Sequence, residues 1–185
     1  MQEIDKQKIL NAFPKSIEKD VEEVISLLSQ RMFEIHPEVV HDVILNNEKL
    51  SIPERLYFDE IDNEERALSD LQNVILNCLY LSNQNGYIRQ RRLEKLNGKN
   101  EYFIMPFVVQ VLGEYVVEIL EVLEKQINEN TMYNYHNFIN ENPSLWQKTE
   151  KRIVSYWNAY YRREYPKLKD YVGAKIIKRI KKSVA

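Results

Sequence analysis

Residues 68–96 read LSDLQNVILNCLYLSNQNGYIRQRRLEKL. Leu68, Leu71, Val74, Ile75, Cys78, Leu79 and Ser82 recur at steps of three and four, the period of a helix with one buried face. A helix is therefore expected over about 63–82. Ser82-Asn83-Gln84-Asn85-Gly86 makes a tight connector, and YIRQRRLEKL continues as a second helix. Asn97-Gly98 ends it, because both residues tolerate the left-handed backbone at a helix C-terminus. A short connector between two such helices predicts an antiparallel hairpin.

Downstream, an apolar helix is expected from Asn100 to about Asn128, with Pro106 in its first turn or at a kink. Its segment FVVQVLGEYVVEILEVL is apolar around much of its circumference, which implies a central position, with Glu114, Glu118, Glu121 and Glu124 on the solvated side. A short helix follows over about 131–140. Asn142-Pro143 then places a cap before a first-turn proline. The helix it opens carries Trp146, Thr149, Ile153, Tyr156, Trp157 and Tyr160 and ends at Pro166; Leu168 to Ile180 form the last helix.

Upstream, Ile17, Val21, Val24, Leu28, Met32 and Ile35 lie at helical steps, and His36-Pro37 breaks that helix. Pro37 is read as opening a short helix through Leu45. Ser51-Ile52-Pro53-Glu54 fits a capping box starting another, which ends near Phe58. The acidic run DEIDNEER, residues 59–66, is read as a loop. The expected fold class is thus all-α: an array of antiparallel helical hairpins, an irregular α-solenoid or bundle. One domain is expected over 1–185, with acidic N-terminal helices in 1–62 and helical hairpins in 63–185.

Composition supports this class. Four glycines in 185 residues are too few for the turns of a β-sandwich. Cys78 is the single cysteine, so no internal disulfide forms and a reducing, cytoplasmic setting is expected. The opening MQEIDKQKIL carries charges where a secretory leader needs an apolar core. The longest apolar run, Tyr102–Val109, falls far short of the roughly 20 residues of a spanning helix. Charge is polarised: residues 1–70 carry a net −9 and residues 146–185 a net +9 within a chain of net −2. Opposed poles of this kind suit an interaction surface or self-association.

The segment 81–96, with Asn83 in the turn, Ile88-Arg89 as the apolar–Arg pair and Leu96 near the helix end, resembles the turn and second helix of a HEAT repeat. With its preceding helix the resemblance covers about residues 68–97. Arg92 stands where that family carries a small residue such as Ala, beside Leu93, a departure that bears on helix packing. The resemblance implies stacked helix pairs that bind other macromolecules and rarely catalyse.

Motifs with chemistry are few. Glu38-Val39-Val40-His41 has the Glu-x-x-His spacing of di-metal bundles, but those need a second such pair, and Tyr133 and Phe33 stand three residues before His136 and His36. Cys78 lies within an apolar stripe, where a thiol acts as a small hydrophobe. The chain contains no phosphate-binding Gly-rich loop, GxSxG, CxxC or HExxH. An enzyme is not expected, and no cofactor or metal is assigned. The contact surface expected for a macromolecule comprises Arg89, Arg152, Tyr156, Arg162, Arg163, Lys167, Lys175, Lys178 and Arg179. The expected function is non-catalytic recognition of a protein partner by a helical scaffold. The alternative is nucleic-acid binding through the basic, aromatic C-terminal helices, where cations neutralise phosphates and rings stack on bases. An enzyme with a site not visible in sequence is the third reading. The modest basic face of the last helix argues against a membrane surface.

Overall fold

The computed structural model describes residues 3–28, 32–35, 40–61 and 64–182. Contacts gather the chain into two compact units, Met1–Lys99 and Asn100–Ala185. It is mostly helical, with nine α-helices among the described residues, and the expected all-α class is corrected by four short strands in the first unit.

The first unit runs α1 (Glu3–Leu10), α2 (Glu18–Leu28), β1 (Met32–Ile35), β2 (Val40–Leu45), β3 (Glu48–Pro53), β4 (Leu56–Phe58), α3 (Asp70–Leu81) and α4 (Gly86–Lys95). β2 pairs with β3 and β1 with β4, both antiparallel. The two short helices expected through Leu45 and from Ser51 to Phe58 are therefore strands where described, as is the Met32–Ile35 end of the helix expected from Ile17. Their period is two: Val43 and Leu45 are buried while Asp42 and Ile44 face out, and Leu50 and Ile52 bury the matching face of β3. Each of these four aliphatic side chains contributes at most about 1.5–3 kcal/mol by its burial. Asn46 and Asn47 turn the hairpin with φ of 50° and 66°, the left-handed pair of a type I′ turn. Ser51 caps no helix; its hydroxyl donates to Asp42 Oδ1 across the hairpin at 2.7 Å. The expected break at His36-Pro37 and the Glu38 position lie outside the described residues.

α3 is the unit's axis. Ser69 and Gln72 form the capping box at its start, with Gln72 N–H on Ser69 Oγ and Ser69 N–H on Gln72 Oε1. Gln72 Nε2 also donates to Asp20 Oδ1 at 3.0 Å, fixing α3 to α2. From Val74 to Asn83 every residue is buried, with α2 and α4 packed against the helix and the Phe58 ring of β4 4.7 Å from that of Tyr80.

The connector to α4 departs most from a solvated helix turn. Ser82 and Asn83 are 0% and 1% exposed. Leu56 of β4 receives a bond from Gln84 N–H and donates its own N–H to Ser82 O, so the connector pairs with the strand like a further edge. Ser82 Oγ donates to Pro53 O and Asn83 Nδ2 to Phe58 O. Asn85 caps α4, accepting from Tyr87 N–H at 3.0 Å.

Arg92 of α4 is 1% exposed and organises the adjoining acidic segment. Its Nε donates to Glu60 Oε1 at 2.8 Å, its Nη1 to Asn77 Oδ1 at 3.3 Å and its Nη2 to Ile61 O at 3.2 Å, and it pairs with Glu65. Arg91 pairs with Glu60, and Lys95 Nζ with Glu65 Oε2 at 3.0 Å. Glu60, Ile61 and Glu65 of the acidic run are thus tied to α4.

The second unit runs α5 (Met105–Leu112), α6 (Val117–Gln126), α7 (Glu129–Glu141), α8 (Pro143–Tyr156) and α9 (Val172–Lys182). All eight residues of α5 are buried, and α6, α7 and α8 pack around it. The expected single helix over 100–128 is two helices. It stops at Gly113, where α8 passes close: a Cβ there would stand 3.6 Å from Arg152 Cδ and 3.7 Å from Thr149 Cγ2. Glu114, expected on the solvated side, is 5% exposed. α7 opens on Asn128 and Thr131, a second capping box. α8 ends in a π-helical turn over Trp157–Tyr161. In α9, Val172, Ile176 and Ile180 recur at steps of four and are buried.

Candidate functional site

α8 and α9 are both amphipathic, and each buries only part of its apolar surface. On α8, Trp146, Thr149 and Ile153 face the core, while Val154 remains 45% exposed. On α9, Ala174 and Ile177 sit on the flank of the buried stripe and are half-buried. The two flanks, with Leu168 from the turn before α9, enclose an open groove of about 600 Å³ floored by Ile153, Val154, Leu168, Ala174 and Ile177.

Gly173 sets how near the helices come. A Cβ on it would stand 3.0 Å from Tyr171 Cε1, 3.1 Å from Ile153 Cγ2 and 3.4 Å from Leu120 Cδ1. Charge gathers on the rim, where Lys178, Lys181 and Lys182 border the groove on the α9 side and Glu150 on the α8 side. Lys181 Nζ meets Glu150 Oε1 at 2.8 Å. Lys178 and Lys182 meet no carboxylate among the described residues. A lysine in that position covers apolar surface with its stem and holds its ammonium in water.

The same unit presents a tyrosine cluster. Tyr115, Tyr156 and Tyr160 lie with ring centroids 5.9–6.2 Å apart, and Tyr115 and Tyr160 are 51% and 65% exposed. The π-helical turn serves a second group beside it. There Tyr161 stacks on buried Tyr171 at 5.3 Å and its hydroxyl donates to Tyr115 O. Burial pushes the Tyr161 and Tyr171 phenols up from their ordinary range, so both stay neutral.

The residues expected to contact a macromolecule divide. Arg89 is buried, 2% exposed, and donates from Nη1 to Asn83 O at 2.7 Å and Gln84 O at 3.0 Å. It fastens the connector of the first unit and offers no cation to a partner, which corrects its place in the expected surface. Arg152 is half-buried and runs beside Gly113. Tyr156 belongs to the tyrosine cluster. Arg162 lies over the Trp157 ring at 5.6 Å and donates to Asn158 Oδ1. Arg163, Lys167 and Lys175 are exposed, and Arg179 donates to Glu124 O at 3.3 Å. Of the nine, Lys178 alone borders the groove. Its other wall, Glu150-x-x-Ile153-Val154, was missed, although the i, i+3, i+4 spacing marks one face of α8.

His41 sits on a strand, so the helical face its Glu-x-x-His spacing implied does not exist. Cys78 is fully buried in α3. Among the described residues no group of three or more His, Cys, Asp or Glu is placed to hold a metal ion. No helix among them is long and apolar enough to cross a membrane.

No family model, curated protein or solved structure matches the chain.

Proposed function

We propose that this chain is a protein-recognition module that docks a partner in the groove between α8 and α9. One observation carries the reading: an aliphatic floor left open along a helix pair, with Val154 of that floor 45% exposed. Helical scaffolds bind partners by completing such a surface, the incoming segment burying what the scaffold leaves bare. The HEAT-like reading of residues 68–97 belongs to the same proposal, as a helix pair of the kind that scaffolds stack. The test is capture by the full chain and by Val154→Glu, a substitution at an exposed site. A stoichiometric partner held by the parent chain and released by the variant supports the reading. Partners held equally by both, or turnover of a substrate by the purified chain, would end it.

A second reading, nucleic-acid binding, is favoured by the exposed rings of Tyr115 and Tyr160 in a unit whose residues 146–185 carry a net +9. Stacking on such rings is tolerant of sequence, and phosphate contacts release counterions. A gel shift with single-stranded DNA at two salt concentrations tests it. A shift weakened by salt and by Tyr160→Ala supports it, and a shift indifferent to both sinks it.

A further inference from the structure

We infer that the occupant of the α8–α9 groove is an acidic amphipathic helix, a conclusion that rests on the docking reading above and names the partner's chemistry. The floor is built from two helices, with Ile153 and Val154 on one and Ala174 and Ile177 on the other. Side chains on parallel rows of two helices leave a furrow that a third helix fills with residues spaced i, i+3, i+4 and i+7. Ala174, the smallest floor residue, gives the furrow its depth.

The floor is wholly aliphatic, so it offers no ring on which a base would stack; a nucleic acid gains nothing from it. Its openness also disfavours an acyl chain, which would keep one side in water along its length. A helix solves that problem, since its outer face is polar by construction.

The rim decides the sign of the partner. Three lysines border the groove against one glutamate, and that glutamate is engaged with Lys181. Lys178 and Lys182 therefore bring two positive charges to the edge of an apolar trough. An occupant with Asp or Glu flanking its aliphatic stripe meets them, and one with Lys or Arg there is repelled. Arg179, Lys181 and Lys182 stand in the last turn of α9, where cations favourably meet the negative end of the helix dipole.

The experiment uses the full chain and a synthetic helical peptide with Leu at i, i+3, i+4 and i+7 and Glu at the flanking positions. Three controls accompany it: the same peptide with Lys for Glu, one with the Leu residues dispersed around the helix, and phosphatidylserine vesicles. Calorimetric titration is expected to show binding of the acidic amphipathic peptide alone. Lys178→Glu with Lys182→Glu, both at exposed positions, should weaken it about tenfold or more and admit the basic peptide. Ala174→Glu should abolish it with the melting temperature retained. The inference is overturned if the dispersed peptide binds as well, if vesicles bind in preference, or if charge reversal leaves affinity unchanged. Should Val154→Glu release a captured partner whose bound segment is basic or non-helical, docking stands and the acidic-helix inference alone fails.

Discussion

The Arg92 guanidinium carbon lies 4.0 Å from the centre of the Tyr80 ring, so the most deeply buried cation among the described residues of the first unit is held by a π face as well as by Glu60 and Glu65. The same tyrosine accepts from Ile61 N–H at 2.8 Å and donates to Asp59 O. Burial pushes its phenol up to about 12. Tyr80 thus stays neutral at any physiological pH, and its ring and hydroxyl fix both Arg92 and the strand of backbone that Arg92 grips.

Arg92→Met replaces that cation with an apolar side chain and leaves Glu60 and Glu65 only their outer partners, Arg91 and Lys95. The expected cost is about 3–5 kcal/mol, the usual penalty for breaking a buried pair from one side. Arg91→Ala, half-exposed, is expected to cost under about 1 kcal/mol. Urea unfolding followed by circular dichroism distinguishes them. Equal midpoints for the two variants would show that the cluster holds nothing together.

Glu60 gives the cluster a pH dependence. Burial acts to raise its pKa, but the hydrogen bond from Arg91 and the charge and hydrogen bond of Arg92 together pull it below the ordinary 4.5. A carboxylate with a depressed folded pKa adds stability that is fully present above the unfolded value and lost as pH falls through the folded one. Stability should therefore decline as the solution is acidified below about 4.5. Glu60→Gln should flatten that decline, and an unchanged acid limb in the variant would exclude Glu60 as its source.

The hairpin Asp70–Lys95 was legible because its signals are local: apolar steps of three and four, a polar turn closed by Gly86, and an Asn97-Gly98 stop. The buried position of α5 followed equally from its continuous apolar run. The strands were not read because Val43, Leu45, Leu50 and Ile52 are few and the Asn46-Asn47 turn lacks the glycine that usually announces it. First-turn proline and Ser-x-x-Glu patterns pointed to helices instead, and tertiary pairing overrode both. For the groove, sequence supplied Lys178 and the basic character of α9. It withheld the other wall, because which flank of an amphipathic helix stays uncovered depends on how its neighbours pack, and no periodicity records that.

Asn47, at φ 66°, occupies the position where type I′ turns favour glycine. Asn47→Gly is expected to leave stability level or raise it by up to about 1 kcal/mol, while Asn47→Val should lower it by about 1–2 kcal/mol. Denaturant midpoints check the pair, and a valine variant as stable as the glycine one would contradict the turn.

Gly173→Ala places a methyl 3.0 Å from Tyr171 and 3.1 Å from Ile153. Overpacking of this kind costs about 1–3 kcal/mol, and it should also spread α8 from α9 and loosen the groove between them. Thermal melting with peptide titration reads both effects; a variant that melts higher and binds as before would refute the close fit.

The partition after Lys99 has an optical consequence. Both indoles of the chain, Trp146 and Trp157, belong to Asn100–Ala185, so intrinsic tryptophan emission watches that half and is blind to the other. An unfolding trace recorded by emission will register Gly173→Ala and pass over Arg92→Met unless the halves melt as one. Whether it passes over the latter is a direct measure of how tightly they are coupled.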